Sequence, residues 1–176
     1  FGATRPAAWG RGRNIHARLQ TLPELPAGDH RTFGHRFLFR DTELTPSGIG
    51  EMLEVTLRTL AHPDFATVFD REGRSEAAIV GTLPNGVMVN GRVDRLIIQP
   101  DQVLIIDYKT DRPAPVSAER VENAYWVQMA AYRAVLQTLY PERPVRCALL
   151  YTDGPRLIEL GGDEMSESLN RVESRV

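Results

Sequence analysis

Cysteine is nearly absent from this chain, and the scarcity excludes several chemistries at once. With Cys147 as the single cysteine among 176 residues, no disulfide can close within the chain and no four-thiolate iron–sulfur cluster can be assembled from it. Cys147 stands in the apolar run from Val145 to Tyr151, where a strand would carry it as a small buried residue. Long hydrophobic runs are missing too. No apolar stretch approaches the roughly 20 residues that cross a bilayer, and no basic segment followed by an apolar one opens the chain. No membrane partner is expected, and a cytoplasmic location is. A basic excess is also lacking: 21 Lys and Arg against 23 Asp and Glu leave a formal net charge of −2, an unusual balance for a protein that captures nucleic acid by its own field. There is no P-loop, internal repeat or low-complexity tract. The chain opens on Phe1 instead of methionine, as a module taken from a longer protein would.

What is present suits one globular unit: 42% of residues are hydrophobic and 25% charged, enough for a sizeable core. Ile15, Leu19 and Leu22 recur at helical spacing and predict an amphipathic helix over about residues 11–22, ended by Pro23. Two further helices are expected, one over about residues 29–41 and one over about residues 47–60 with Ser47 as N-cap, broken by His62-Pro63. Strands follow. Residues from about 74 to 81 run from polar into apolar, residues 86–98 alternate, and Val103-Leu104-Ile105-Ile106 is a continuous apolar run that reads as a strand buried on both faces. The clearest helix spans about residues 117–139, stopped by Tyr140-Pro141, with Val121, Tyr125, Gln128, Tyr132, Val135 and Leu139 at three- and four-residue steps. Two last strands, over about 146–151 and 156–160, flank the turn signal Asp153-Gly154. The final residues, 161–176, read as a tail or a short terminal helix. The order predicts an α/β fold, a mixed sheet flanked by helices with a helical N-terminal portion. It divides into 1–70, a core over 71–160, and a C-terminal tail over 161–176.

The residues that carry chemistry cluster at Gly91-Arg92-Val93-Asp94-Arg95 and Ile106-Asp107-Tyr108-Lys109-Thr110. The turn residues Gln99-Pro100-Asp101-Gln102 join the two runs as a hairpin, and with the turn centred near Pro100 and Asp101, Asp94 falls opposite Asp107. Carboxylates that close repel unless a cation sits between them. Hard divalent cations take such oxygen ligands, and Mg²⁺ needs only one or two carboxylates besides water and a substrate phosphate. Lys109, two residues beyond Asp107, shares its face, where an ammonium can orient or deprotonate an attacking water. Two acids and a lysine are the minimum set for metal-dependent phosphodiester cleavage. The same three residues also suit a solvated salt bridge at a sheet edge, because D-x-K triplets are common.

Five stretches taken together decide between these readings: Gly12-Arg13-Asn14-Ile15-His16, Ser75-Glu76 ahead of a strand, the Val93-Asp94-Arg95 and Asp107-Tyr108-Lys109 runs, and Gln128-Met129-Ala130-Ala131-Tyr132. In order and approximate spacing, from about residue 10 to about residue 160, they resemble the nuclease domain of the RecB/AddA group within the PD-(D/E)XK superfamily, the AddA branch most of all. The resemblance implies a restriction-endonuclease-like fold and a Mg²⁺- or Mn²⁺-dependent deoxyribonuclease, an exonuclease acting on single strands of unwound DNA. It would serve double-strand-break repair and recombination. The partners implied are a helicase domain of the same parent chain and an AddB-like subunit. Relatives with an iron–sulfur cluster carry four cysteines; this chain has one, so no cluster is expected. A tether to a motor would also account for the weakly acidic net charge. A catalytically silent DNA-binding or scaffold domain of the same complex is the alternative.

The resemblance also distributes roles. His16, by residue pattern alone a packed or solvent-edge histidine, becomes a metal ligand beside Asp94 and Asp107, with the Tyr108 carbonyl completing the shell. Lys109 activates or positions water. Glu76, otherwise an edge carboxylate, becomes the acid of the first core motif. The amide of Gln128 either bonds a backbone group or holds Lys109 or the DNA backbone. Tyr132, Arg92 and Arg95 are candidate DNA contacts, although an aromatic at helical spacing is usually core and most arginines are simply solvated. Trp126 lies off the main stripe of its helix.

Overall fold

A computed structural model describes residues 15, 17–38, 45–65, 68–69 and 73–173. The chain divides into two compact units, one of residues 1–71, 108–114 and 151–156, the other of residues 72–107, 115–150 and 157–176.

The first unit is mainly helical. Ile15 and residues 17–21 are helical and lead into a 3₁₀ turn, Leu22–Glu24, with Pro23 in its first positions. Ile15, Leu19 and Leu22 are buried, as their spacing predicts. Helix α1, His30–Leu38, matches the described part of the expected helix, and residues 39–41 lie outside the described residues. Helix α2, Pro46–Leu60, buries Ile49, Met52, Leu53 and Val55, each worth about 1.5–3 kcal/mol against exposure. Its cap is Thr45, not Ser47: the Thr45 hydroxyl accepts from the Gly48 amide at 3.2 Å. Pro46 explains the difference, since proline is pre-set for the first helical position and so makes the residue before it the cap. Arg18, 4% exposed, lays its guanidinium 3.5 Å from the centre of the Phe37 ring, a cation–π contact that keeps a buried charge company.

The sheet has five strands in the order of the chain: β1 (Arg74–Thr82), β2 (Met88–Ile98), β3 (Val103–Lys109), β4 (Val145–Tyr151) and β5 (Arg156–Leu160). β1–β2 and β2–β3 are antiparallel. The Val103 amide donates to the Pro144 carbonyl at 2.9 Å and the Thr152 amide to the Lys109 carbonyl at 3.0 Å. Start therefore meets start and end meets end, so β3 and β4 are parallel and the sheet is mixed. A parallel pair needs a long crossover, which α3 (Asn123–Leu139) supplies. β3 is buried on both faces along most of its length, as its unbroken apolar run requires.

Two boundaries differ from expectation. α3 begins at Asn123, because Ala118–Arg120 forms a 3₁₀ turn and Val121 is extended, with φ −68° and ψ 137°. The last residues are not a loose tail: α4, Gly162–Glu173, packs on α3 and buries Met165. Between β4 and β5, Gly154 takes φ +61°, the left-handed conformation a tight turn asks of glycine. Cys147 is fully buried, and burial pushes its thiol up to about 12, so it is a packing residue and no nucleophile.

Candidate active site

The hairpin that joins β2 to β3 sets the register of the acidic residues. The Gln99 amide donates to the Gln102 carbonyl at 2.9 Å across the turn, and the ladder runs from Ile98↔Val103 back to Arg95↔Ile106. The next step of that register sets Asp94 opposite Asp107, the pairing expected from the turn residues alone. Opposite residues of an antiparallel pair share a face, with Cβ atoms about 4.5–5.5 Å apart. Both aspartates are mostly withdrawn from water, 9% and 7% exposed. Along β3, Lys109 follows Asp107 by two residues.

β1 extends the row by one. Its ladder with β2 pairs Ser75↔Arg95 and Ala77↔Val93 but has no rung between them. At the missing step Glu76 stands opposite Asp94, with φ +51°, a left-handed backbone that a side chain with a Cβ adopts at a cost of about 1–3 kcal/mol. Register thus lines up Glu76, Asp94 and Asp107 on three adjacent strands. The Glu76 side chain is exposed, however, and its carboxylate accepts from Arg92 Nη1 at 3.0 Å. Among the described residues no group of three or more His, Cys, Asp or Glu is gathered to hold a metal ion. His16, the expected imidazole ligand, lies outside the described residues. Two neighbouring, nearly buried carboxylates are the kind of oxygen donors that a hard divalent cation takes, and they repel each other without one.

The other face of β2 is different. Gly91 stands on that face, and a Cβ there would run into the Tyr132 hydroxyl and ring of α3. Glycine is therefore the residue that lets the helix lie on the sheet. Tyr132 is 9% exposed and its hydroxyl accepts from Gln128 Nε2 at 3.3 Å. The amide thus finds a partner one turn along its own helix. Tyr132, expected as a candidate DNA contact, is packed against the sheet instead, because its ring fills the notch over Gly91. Arg95, expected as another, is 1% exposed and donates to Ser75 Oγ at 2.9 Å. It points to the face away from Asp94, and its role is internal. Arg92 keeps an exposed guanidinium, held by Glu76.

In the first unit, Tyr108 is buried, its ring 6.3 Å from that of Phe69. The Lys109 carbonyl accepts from both the amide and the hydroxyl of Thr152, at 3.0 and 3.4 Å. Thr152 is thus a clamp on the backbone that carries the lysine, and sequence reasoning missed it, since a threonine just past a strand signals nothing by itself. Ser75 was missed as the partner of Arg95 for the same reason. Gly91 did carry a signal, as glycine inside a strand pattern marks a close approach.

Over 53 residues, 30% of this chain, the sequence is 36% identical to an ATP-dependent helicase/nuclease of Acetivibrio thermocellus. The matched stretch spans 4% of that relative's length. Among solved structures, a protein called SSO0001 aligns over 92% of this chain and 75% of its own, at 13% identity and a TM-score of 0.38, a likeness too slight to add to the assignment. The model of the PD-(D/E)XK nuclease superfamily matches residues 3–174, and with acids at adjacent register positions and a D-x-K strand inside that span, this chain belongs to the superfamily.

Proposed function

We propose that this chain is a Mg²⁺- or Mn²⁺-dependent deoxyribonuclease module that hydrolyses phosphodiesters in single strands released from an unwound duplex. The observation that carries the reading is the β2–β3 ladder, whose rungs reach Arg95↔Ile106 and whose continuation sets Asp94 opposite Asp107, two mostly buried carboxylates, with Lys109 two residues on in a member of a nuclease superfamily. Asp94 and Asp107 hold the cation, with His16 and the Tyr108 carbonyl as further ligands. A divalent cation bound there polarises the scissile phosphate and lowers the pKa of water. Lys109 orients the attacking water and offsets the charge that builds on the phosphate. Its backbone is pinned by Thr152, which limits where the ammonium can reach. Glu76 stays within the acidic row as a carboxylate that acts through water, and Gln128 braces the helix behind the sheet.

The helicase/nuclease relative supports a wider setting: a motor domain in the same parent chain feeds DNA to the module, an AddB-like partner completes the complex, and the assembly serves recombinational repair of double-strand breaks in the cytoplasm. No described helix is long and apolar enough to cross a membrane. The test is cleavage of end-labelled single-stranded DNA by the purified chain with Mg²⁺, Mn²⁺ or EDTA, beside Asp107→Ala and Lys109→Ala. Metal-dependent cutting that both variants lose is expected, and the product ladder gives exo- against endonucleolytic action. Wild-type rates in either variant would sink the assignment, and DNA binding without cutting under any metal would make this a holding domain instead.

A further inference from the structure

The face of β1 and β2 that carries Asp94 is unevenly covered along its length. Alternate residues of a strand share a face, and the pairs Ala78↔Arg92, Val80↔Asn90 and Thr82↔Met88 stand on the face of Asp94. All six are exposed, Met88 at 75% and Val80 at 62%. In the other direction on the same face, toward the β2–β3 turn, Leu96 and its partner Ile105 are buried, and so is Val103. Along the strands, then, the sheet is open on one side of Asp94 only, over the β1–β2 arm. The six steps from Asp94 to Met88 make that open stretch about 20 Å long.

The chemistry of the arm narrows what can lie on it. A chain with 23 acidic residues places none among these six. Arg92, Asn90 and Thr82 carry N–H or O–H groups that can donate to phosphate oxygens. Val80, Met88 and Ala78 offer apolar surface that gains when a base or sugar covers it. An anionic backbone with apolar faces along it meets both halves of that composition.

Continuity with the carboxylates selects a nucleic acid over a protein partner. A phosphodiester cut at Asp94 and Asp107 belongs to a polymer, and the polymer beside the scissile bond must rest on surface next to the site. Along the strands the arm is the surface left open for it. We infer that the exposed face of the β1–β2 arm is the track on which the single strand being cut lies, with Met88 and Val80 as contact residues and Arg92 at the end nearest the carboxylates. The inference rests on the nuclease reading and adds to it the path of the substrate.

The test is an alkylation footprint on the whole chain. Cys147 is buried and its thiol is pushed up to about 12, so a cysteine introduced at the surface is the thiol that reacts. Met88→Cys, Val80→Cys and, as a control, Leu139→Cys at the exposed end of α3 are treated with iodoacetamide at low salt in Ca²⁺. Each is compared with and without a saturating single-stranded oligonucleotide of mixed sequence, whose binding is followed by fluorescence anisotropy. Expected is severalfold protection at positions 80 and 88 and none at position 139. Charge gives a second readout: Met88→Glu should weaken the oligonucleotide about threefold or more, and Met88→Lys should strengthen it and steepen the salt dependence by about one counterion. A substitution that merely disturbed the strand would move both variants the same way. Binding without protection at 80 and 88, or glutamate and lysine variants that shift together, would overturn the track while leaving the nuclease reading to the cleavage assay. An oligonucleotide that fails to bind would overturn the track too, and cleavage by the unaltered chain would then show whether the nuclease reading falls with it.

Discussion

The two faces of β2 are made from alternate residues of one strand, and they serve different ends. Gly91, Val93 and Arg95 lie on the face where α3 packs: no side chain at Gly91, a fully buried valine, and an arginine satisfied from within by Ser75. Arg92 and Asp94 lie on the other, one gripped by the exposed Glu76, the other set against Asp107 by register. A one-residue slip would exchange the two sets. The same strand twist and turn must satisfy both faces. The difference also separates what a substitution should do: on the carboxylate face it should cost activity at little cost in stability, and on the helix face the reverse.

The largest expected effect is on the carboxylate face. Asp107→Ala or Asp94→Ala should lower metal-dependent DNA cleavage by about a thousandfold or more, since several kcal/mol of transition-state stabilisation pass through the cation and each 1.4 kcal/mol or so is tenfold. Thermal unfolding should move little. A variant that unfolds at the assay temperature, or one that cuts normally, would break the division of labour.

Next is Gly91→Val, on the opposite face. The new side chain meets the Tyr132 hydroxyl and ring, and forced overpacking of this kind costs about 1–3 kcal/mol, readable as a lowered urea midpoint at unchanged slope. Cleavage per folded molecule should persist at temperatures where the variant is folded. Adding Tyr132→Phe should return part of the loss, because it removes the hydroxyl that lies closest.

A smaller effect is expected at Glu76, where the strand is left-handed. Glu76→Gly should leave stability unchanged or raise it, within about 1 kcal/mol: relief of backbone strain opposes the entropy of glycine and the loss of an exposed ion pair. Ala78→Gly, two residues along the same strand, should lower it by about 0.5–1 kcal/mol. If both substitutions cost the same, Glu76 is not strained.

The smallest is electrostatic and lies away from both faces. Arg146 donates two hydrogen bonds to Glu159, at 2.7 and 2.6 Å. The hydrogen bond and charge of Arg146 hold the Glu159 carboxyl below its usual range, against a smaller effect of burial. A carboxyl with a lowered folded pKa adds stability above its unfolded value near 4.5, and that stability is lost as pH falls through the folded value. The pair is about half exposed, so the difference between neutral and acidic solution should be only about 0.2–1 kcal/mol. It should vanish in Glu159→Gln. A larger acid loss that survives this variant would point to other carboxylates.

Much of this arrangement was legible beforehand. The strand β5 was bounded by its residues, β3 by its unbroken apolar run, and the β2–β3 register by the turn residues 99–102 that centre the hairpin. Such features are local: period, turn chemistry and chain connectivity determine them. The cap at Thr45 was also legible in principle from Pro46, though Ser47 competed for it. The start of α3 at Asn123 was not, because residues 117–121 keep helical periodicity while Val121, extended, is buried at 7% exposure; burial outweighed pattern there.

By itself, then, the sequence determined the order of elements, the mixed sheet, the lack of any cysteine-based cluster, and the register of the β2–β3 hairpin, since all follow from spacing along one chain. Only the tertiary structure decided that Arg95 turns inward to Ser75 while Arg92 stays out with Glu76, that Tyr132 fills the notch over Gly91, and that Thr152 holds the Lys109 carbonyl. These depend on which residue of a distant element arrives at a given place, and pairing across the fold is a matter of packing and desolvation that no local pattern encodes.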